Sequence, residues 1–138
     1  KIGLNFFLFV ILICISTDIG GYVFGKILKG PKLTKISPNK TYSGVVGSFI
    51  FSILAGIVFL QYLRNQMPID DNMILILSLI LSISFISQIG DLIVSYFKRK
   101  AKIKNTGKIL PGHGGLLDRI DGLIFVIPII NLLYVIYI

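Results

Sequence analysis

The 138 residues are 54% hydrophobic and only 14% charged, with a mean hydropathy of +0.88, a composition that excludes an ordinary soluble domain and places the chain in a bilayer. Lys and Arg number 14 against 6 acids, for a net charge of +8, and every acid is an aspartate: Asp18, Asp70, Asp71, Asp91, Asp118 and Asp121. The single cysteine, Cys14, lies in an apolar run without a second thiol, which excludes a disulfide framework and a thiolate metal site and leaves it a packing role.

Crossing the hydrocarbon as a helix takes about 20 mostly apolar residues, and residues 2–24 meet that requirement first. No small-residue cleavage site follows them, so they read as a span and not as a signal peptide. The chain opens on Lys1 at the edge of this segment, and a further N-terminal portion is expected ahead of it. Gly21 and Gly25 give the Gly-x-x-x-Gly spacing of a close helix contact. The connection 25–40, GKILKGPKLTKISPNK, carries Lys26, Lys29, Lys32, Lys35 and Lys40, and a second span is predicted over 44–63. After the short stretch 64–72, RNQMPIDDN, comes a third span over 73–97, whose Ser78, Ser82, Ser84, Ser87 and Gln88 form a polar stripe expected to face the bundle interior. Residues 98–115 are basic and glycine-rich, and residues 116–138 give a fourth span. The aromatics Phe6, Phe7, Tyr22, Phe24, Phe59, Tyr62, Phe85, Tyr96, Phe97, Tyr134 and Tyr137 are expected at lipid-facing or interfacial positions.

Neither an internal repeat nor alternating ten-residue strands occur, and backbone polar groups at membrane depth must be paired within their own segment. The predicted fold is therefore all-α, a polytopic transmembrane helix bundle of about four spans forming one membrane-embedded domain over residues 1–138. Lys and Arg mark cytoplasmic loops. That rule sets 25–40 and 98–115 in the cytoplasm, with 64–72 and both chain ends on the opposite side. Topology and attraction to anionic lipid headgroups account for part of the basic charge.

They do not account for the acids. Asp70 and Asp71 are solvated loop charges, but Asp18, Asp91, Asp118 and Asp121 all map to the cytoplasmic ends of spans. A carboxylate at the membrane boundary costs a few kcal/mol, and such groups usually mark functional sites. Asp118 and Asp121 share a helix face at i, i+3, and Asp91, Ser95 and Lys98 step along another. Two readings stand at this point. Each acid is paired with its own nearby Lys or Arg, or the carboxylates gather around a cation, for which oxygen-only donors fit Mg²⁺ and not zinc. Residues 106–115 add glycines and His113 before a predicted helix start, a pattern that offers free backbone N–H groups to phosphate oxygens. Basic residues, carboxylates and a glycine-rich turn together describe a polyphosphate site at a membrane surface. Nucleic acid is excluded as a partner, because no base-stacking platform or groove-reading motif accompanies the lysines.

From Ser95 to Asp121 the sequence reads SYFKRKAKIKNTGKILPGHGGLLDRID, and it resembles the signature of the phosphatidate cytidylyltransferases, or CDP-diacylglycerol synthases. The likeness runs through Ser95, Lys98, Arg99, Lys104, Gly107, Pro111, His113 to Gly115, Asp118, Arg119 and Asp121. It extends to QIGD at 88–91, and to Asp18, Tyr22, Gly25, Lys26 and ISPNKT at 36–41. Two positions depart from the pattern, Asn105 where an Asp is usual and Ser43 where a Glu is common.

The resemblance implies an enzyme of the cell (inner) membrane with its active site facing the cytoplasm, this chain being the C-terminal catalytic part of a longer member. It would transfer the cytidylyl group of CTP to phosphatidic acid, giving CDP-diacylglycerol and pyrophosphate. It implies Asp91, Asp118 and Asp121 as ligands of one or two cations, Mg²⁺ first among them, with Asp18 in support. Lys98, Arg99, Lys104 and Arg119 would neutralise the triphosphate, His113 would donate a hydrogen bond, and Gly114 and Gly115 would admit the phosphates to the backbone. Ser37, Lys40 and Thr41 would grip phosphatidate or close the site, with Ser95 also at the substrate. Membrane lipids are the other expected partners, and a homo-oligomer is compatible with the sequence. The rival readings are a CTP-dependent polyprenol or phytol kinase and, in another class, a cation transporter.

Overall fold

The computed structural model describes residues 2–34, 37, 40–63, 72–103 and 117–137. Four helices follow one another: α1 (Ile2–Leu28), α2 (Tyr42–Leu63), α3 (Met73–Lys100) and α4 (Leu117–Tyr137). α1 packs most extensively on α2, α3 on α4, and smaller contacts of α1 and α2 with α3 and of α1 with α4 close the bundle. Among the described residues α1, α2 and α3 are long and apolar enough to cross a membrane, and α4 contributes the shorter apolar segment Gly122–Leu132. Pro128 lies inside α4 and removes one rung of its hydrogen-bond ladder.

The helices run past the predicted spans. α1 and α3, with 27 and 28 residues, reach about 40 Å at 1.5 Å per residue, more than the ~30 Å of hydrocarbon. Their last turns carry Lys26 and Lys98, Arg99 and Lys100, cations that complement the partial negative charge of a helix C-terminus, so the helix persists into the interfacial layer. α3 then stops at Lys102, whose φ of 57° is left-handed. The Lys102 N–H donates to the Arg99 carbonyl and the Ile103 N–H to the Lys98 carbonyl, both at 3.0 Å, which is the paired bonding of a Schellman end.

The bundle is sparse in apolar core and rich in buried hydroxyls. Phe9, Val10, Ile13, Cys14, Ile80, Ile83 and Val126 form the buried apolar cluster, while Ser16, Thr17, Ser48, Ser52, Ser84 and Ser87 are also buried. Leu54, Val58, Ile74 and Phe85 face outward, as suits a surface solvated by lipid chains. The Thr17 hydroxyl donates to the Ile13 carbonyl (2.8 Å) and meets the Ser84 hydroxyl at 2.9 Å, tying α1 to α3. The serine stripe of α3 divides: Ser84 and Ser87 are buried and Gln88 half-buried, but Ser78 and Ser82 face outward. Their hydroxyls donate to the Leu75 and Ser78 carbonyls of their own helix (2.8 and 2.7 Å), which removes the need for an interior partner. Several aromatics also depart from the lipid-facing expectation. Phe6 and Phe59 pack on the core cluster, and Phe24 meets the Phe51 ring edge-on at 5.8 Å between centroids.

Small residues let α1 and α2 approach closely. A Cβ placed on Gly20 would lie 2.5 Å from the Gly47 carbonyl oxygen, one on Gly21 2.7 Å from Ser48 Oγ, and one on Gly44 2.7 Å from the Gly21 carbonyl oxygen. The Gly-x-x-x-Gly spacing of α1 thus meets a matching row on α2, and backbone approaches backbone. Gly90 and Gly122 do the same between α3 and α4, against Phe125 and Ser87. Gly20→Val should therefore destabilise the protein by about 1–3 kcal/mol, the usual cost of overpacking, whereas Gly3→Val, at a position with nothing within 4 Å, should not. Denaturant unfolding in detergent checks this, and equal stability of the two variants would refute the close contact.

Candidate functional site

The end of α1, the start of α2 and the last third of α3 enclose a cavity of about 260 Å³. Its described lining comprises Thr17, Asp18, Gly21 and Tyr22 from α1, Ser37, Lys40 and Thr41 ahead of α2, Gly44, Val45 and Ser48 within it, and Gln88 and Asp91 from α3. Gly21 and Gly44 stand at the helix crossing and contribute no side chain of their own to the space between Asp18 and the first turn of α2.

The connection before α2 is held as a small hairpin. Lys32 and Thr41 form an isolated antiparallel bridge, the Leu33 N–H donates to the Lys40 carbonyl (2.8 Å), and the Tyr42 N–H donates to the Pro31 carbonyl (3.1 Å). Ser37 closes the inner turn: its N–H donates to Thr34 Oγ1 (3.1 Å) and its carbonyl accepts from the Lys40 N–H (3.0 Å). Thr41 is the N-cap of α2. Its hydroxyl accepts from the Gly44 N–H and its carbonyl from the Val45 N–H, each at 3.1 Å. The Ser43 hydroxyl lies 3.1 Å from that of Thr41 and accepts from the Gly30 N–H (3.3 Å). Ser43 therefore fastens the end of α1 to the beginning of α2.

This scaffold delivers Lys40 to Asp91. The ammonium lies 3.2 Å from the Asp91 carboxylate, with the two side chains 29% and 22% exposed. The pair joins residues far apart in sequence and bridges the hairpin to α3. Asp18, Asp91 and Lys40 are the charged groups of the described lining, two negative and one positive, so the cavity carries an excess of acid within a basic chain. The start of α2, with its N–H groups and positive dipole end, faces the same space beside Lys40, a combination suited to an anion.

Of the expected site residues, the structure gathers Asp18, Ser37, Lys40, Thr41 and Asp91. Ser95 and Lys98 continue the Asp91 face of α3 toward its end but are not in the described lining, and Arg99 is exposed at the last turn. Lys104, Asn105, His113, Gly114 and Gly115 lie outside the described residues, as do Asp70 and Asp71. Asp118, Arg119 and Asp121 fall on the first turns of α4, with side chains outside the described residues. The backbone there is nonetheless located: a Cβ on Gly122, the residue after Asp121, would lie 3.2 Å from Asp91 Oδ1. The start of α4 therefore runs alongside Asp91. Among the described residues no three carboxylate, imidazole or thiol groups converge. The described lining offers carboxylate, hydroxyl and amide oxygens and, among the described residues, no thiol or imidazole, which is the donor chemistry of a hard cation.

Thr17 and Ser48 were not legible as site residues in the sequence. The available signal was spacing, since Thr17 lies one turn before Gly21 and Ser48 one turn after Gly44 on the crossing faces.

Comparison with known proteins adds to this geometry. The model of the cytidylyltransferase family matches residues 1–137. The chain is 43% identical over 136 residues to a phosphatidate cytidylyltransferase of Staphylococcus saprophyticus, 42% over 134 residues to one of Staphylococcus haemolyticus and 41% over 134 residues to one of Staphylococcus aureus. Each alignment covers 96% of this chain and 50% of the relative, so the chain spans about half the length of the curated relatives it matches.

The Lys40–Asp91 pair is directly measurable. A double-mutant cycle with Lys40→Ala and Asp91→Ala should give a coupling of about 0.5–1 kcal/mol, as for a partly solvated ion pair. Unfolding free energies that add without coupling would show that the two side chains do not meet.

Proposed function

This chain belongs to the cytidylyltransferase family, and from that premise we propose that it is the membrane-embedded catalytic half of an enzyme transferring the cytidylyl group of CTP to phosphatidic acid. A phosphatidate phosphate oxygen attacks the α-phosphorus of CTP, the bond from that phosphorus to the β-phosphate oxygen breaks, and pyrophosphate leaves in line. No protein nucleophile is required, because such transfers depend on alignment and charge neutralisation. The observation that carries the reading is the meeting of Lys40 and Asp91 at the α2 N-terminus, in a chain 41–43% identical to enzymes of that name.

In this reading Lys40 and Ser37 hold the phosphatidate phosphate, and Thr41 orders the α2 N-terminus beside them through its cap. Asp91, Asp118 and Asp121 would hold Mg²⁺, and a second cation where two are used, with Asp18 in support. The metal would supply neutralisation of the phosphate oxygens. Lys98, Arg99, Lys104 and Arg119 balance the triphosphate and the leaving pyrophosphate, His113 donates a hydrogen bond, and Ser95, Gly114 and Gly115 contact the nucleotide phosphates. The enzyme lies in the cell membrane with residues 25–40 and 98–115 on the cytoplasmic side. The kinase and transporter readings are not favoured, since the relatives carry cytidylyltransferase names and the charged groups of the cavity sit at one end of the helices.

The deciding experiment incubates purified protein with CTP, phosphatidate and Mg²⁺. CDP-diacylglycerol and pyrophosphate are expected, whereas CDP with a phosphorylated alcohol would indicate the kinase. Asp118→Asn should lower turnover at least a hundredfold, on the scale of one preorganised electrostatic contact at roughly 2.7 kcal/mol. Asn105→Asp should change it only modestly. Near-normal turnover of Asp118→Asn, with folding verified, would remove Asp118 from the site. Orientation is tested by cysteine labelling from outside intact cells: residues in 64–72 should react and those in 98–115 should not, and the reverse pattern would invert the topology.

A further inference from the structure

We propose that the apolar groove between α2 and α3, lined by Phe49, Leu81, Ser82 and Phe85, holds an acyl chain of the lipid whose phosphate occupies the cavity at the α2 N-terminus. The inference rests on the reaction proposed above and adds what the tail of the lipid touches. The groove has a volume of about 420 Å³, inside the range of about 300–1,000 Å³ for small-molecule sites. Its Ser82 hydroxyl is committed to the Ser78 carbonyl at 2.7 Å, so no polar group of the lining asks for a partner.

The register of the two helices makes groove and cavity successive parts of one seam. On α2, Phe49 lies one turn beyond Val45 of the cavity, and on α3, Phe85 and Leu81 precede Gln88 of the cavity by three and seven residues, spacings that share a face. The helices are antiparallel. A Cβ on Gly56 of α2 would touch the Ile80 side chain, so ascending α2 matches descending α3. The groove therefore begins about one turn, 5–6 Å, deeper along the helices than the cavity. A seam with an ammonium and carboxylates at its end and only apolar surface a turn further in has the polarity of a phospholipid. The occupant is accordingly a lipid with an anionic headgroup, held along its length.

The test fills the groove and follows the tail. In phosphatidylcholine vesicles, Ser82→Phe should raise KM for dioleoyl phosphatidate about tenfold with kcat unchanged, while dihexanoyl phosphatidate, too short to fill the groove, keeps wild-type kinetics. A phosphatidate bearing a diazirine midway along one acyl chain should label Phe49 or Phe85 of the wild-type protein, and excess phosphatidate should suppress labelling where excess phosphatidylcholine does not. An unchanged KM for the long-chain substrate overturns the proposal. So does labelling that phosphatidylcholine suppresses equally, which would mark ordinary boundary lipid, or labelling absent from the groove because another segment of the protein covers it. If neither chain length yields pyrophosphate, the proposed reaction fails instead, and the labelling alone decides the groove. If Ser82→Phe impairs both substrates alike through misfolding, the wild-type labelling again gives the answer.

Discussion

The close crossing of α1 and α2 is the constraint on which the rest of the structure depends. Gly20 and Gly21 meet Gly44, Gly47 and Ser48 at distances that a single methyl group would violate. In lipid, helices gain little from hiding apolar surface, and association relies on packing and polar contacts between close backbones. The crossing also leaves the space that becomes the cavity. Larger side chains at Gly21 or Gly44 would both separate the helices and fill the gap between Asp18 and the α2 N-terminus.

Charge is placed against that frame with a consistent logic. A carboxylate such as Asp91 within the boundary of a bilayer requires compensation, and Lys40 supplies it from a hairpin pinned by the Lys32–Thr41 bridge and the Thr41 cap. An ion pair that is about a quarter exposed is neither strongly buried nor freely solvated. Ser43 gains a structural role in the same region: it caps the Gly30 N–H, work that a longer acidic side chain would perform with different reach.

Buried hydroxyls complete the picture. The buried serines and threonine share the bundle interior with Phe9, Val10, Ile13, Cys14, Ile80, Ile83 and Val126, while many other large apolar residues turn outward. An outward apolar surface of that kind suits hydrocarbon as the surrounding solvent. Thr17, next to Asp18, and Ser84, about two turns before Asp91, join α1 to α3, and Gln88 Nε2 reaches Ser84 Oγ at 3.5 Å, so a polar chain leads from the bundle interior to the cavity wall.

The sequence alone determined the helical class, the number and order of the helices and the gathering of acids at one end of them, because hydropathy over about 20 residues and the sign of loop charge are local properties. It also pointed to the glycine contact of α1 and to Asp18, Ser37, Lys40, Thr41 and Asp91 around the cavity. Only the tertiary structure decided which small residues of α2 answer Gly21, that Thr41 is a cap, that Lys40 pairs with Asp91, and that Thr17 and Ser48 line the cavity. Likewise Ser78 and Ser82 share residue type and helix with Ser84 and Ser87, yet face the other way. Each of these depends on the rotation of one helix against another, and in a bundle apolar on every face no amphipathic pattern encodes that rotation. It is set by where backbones can approach, which becomes visible only when the helices are packed.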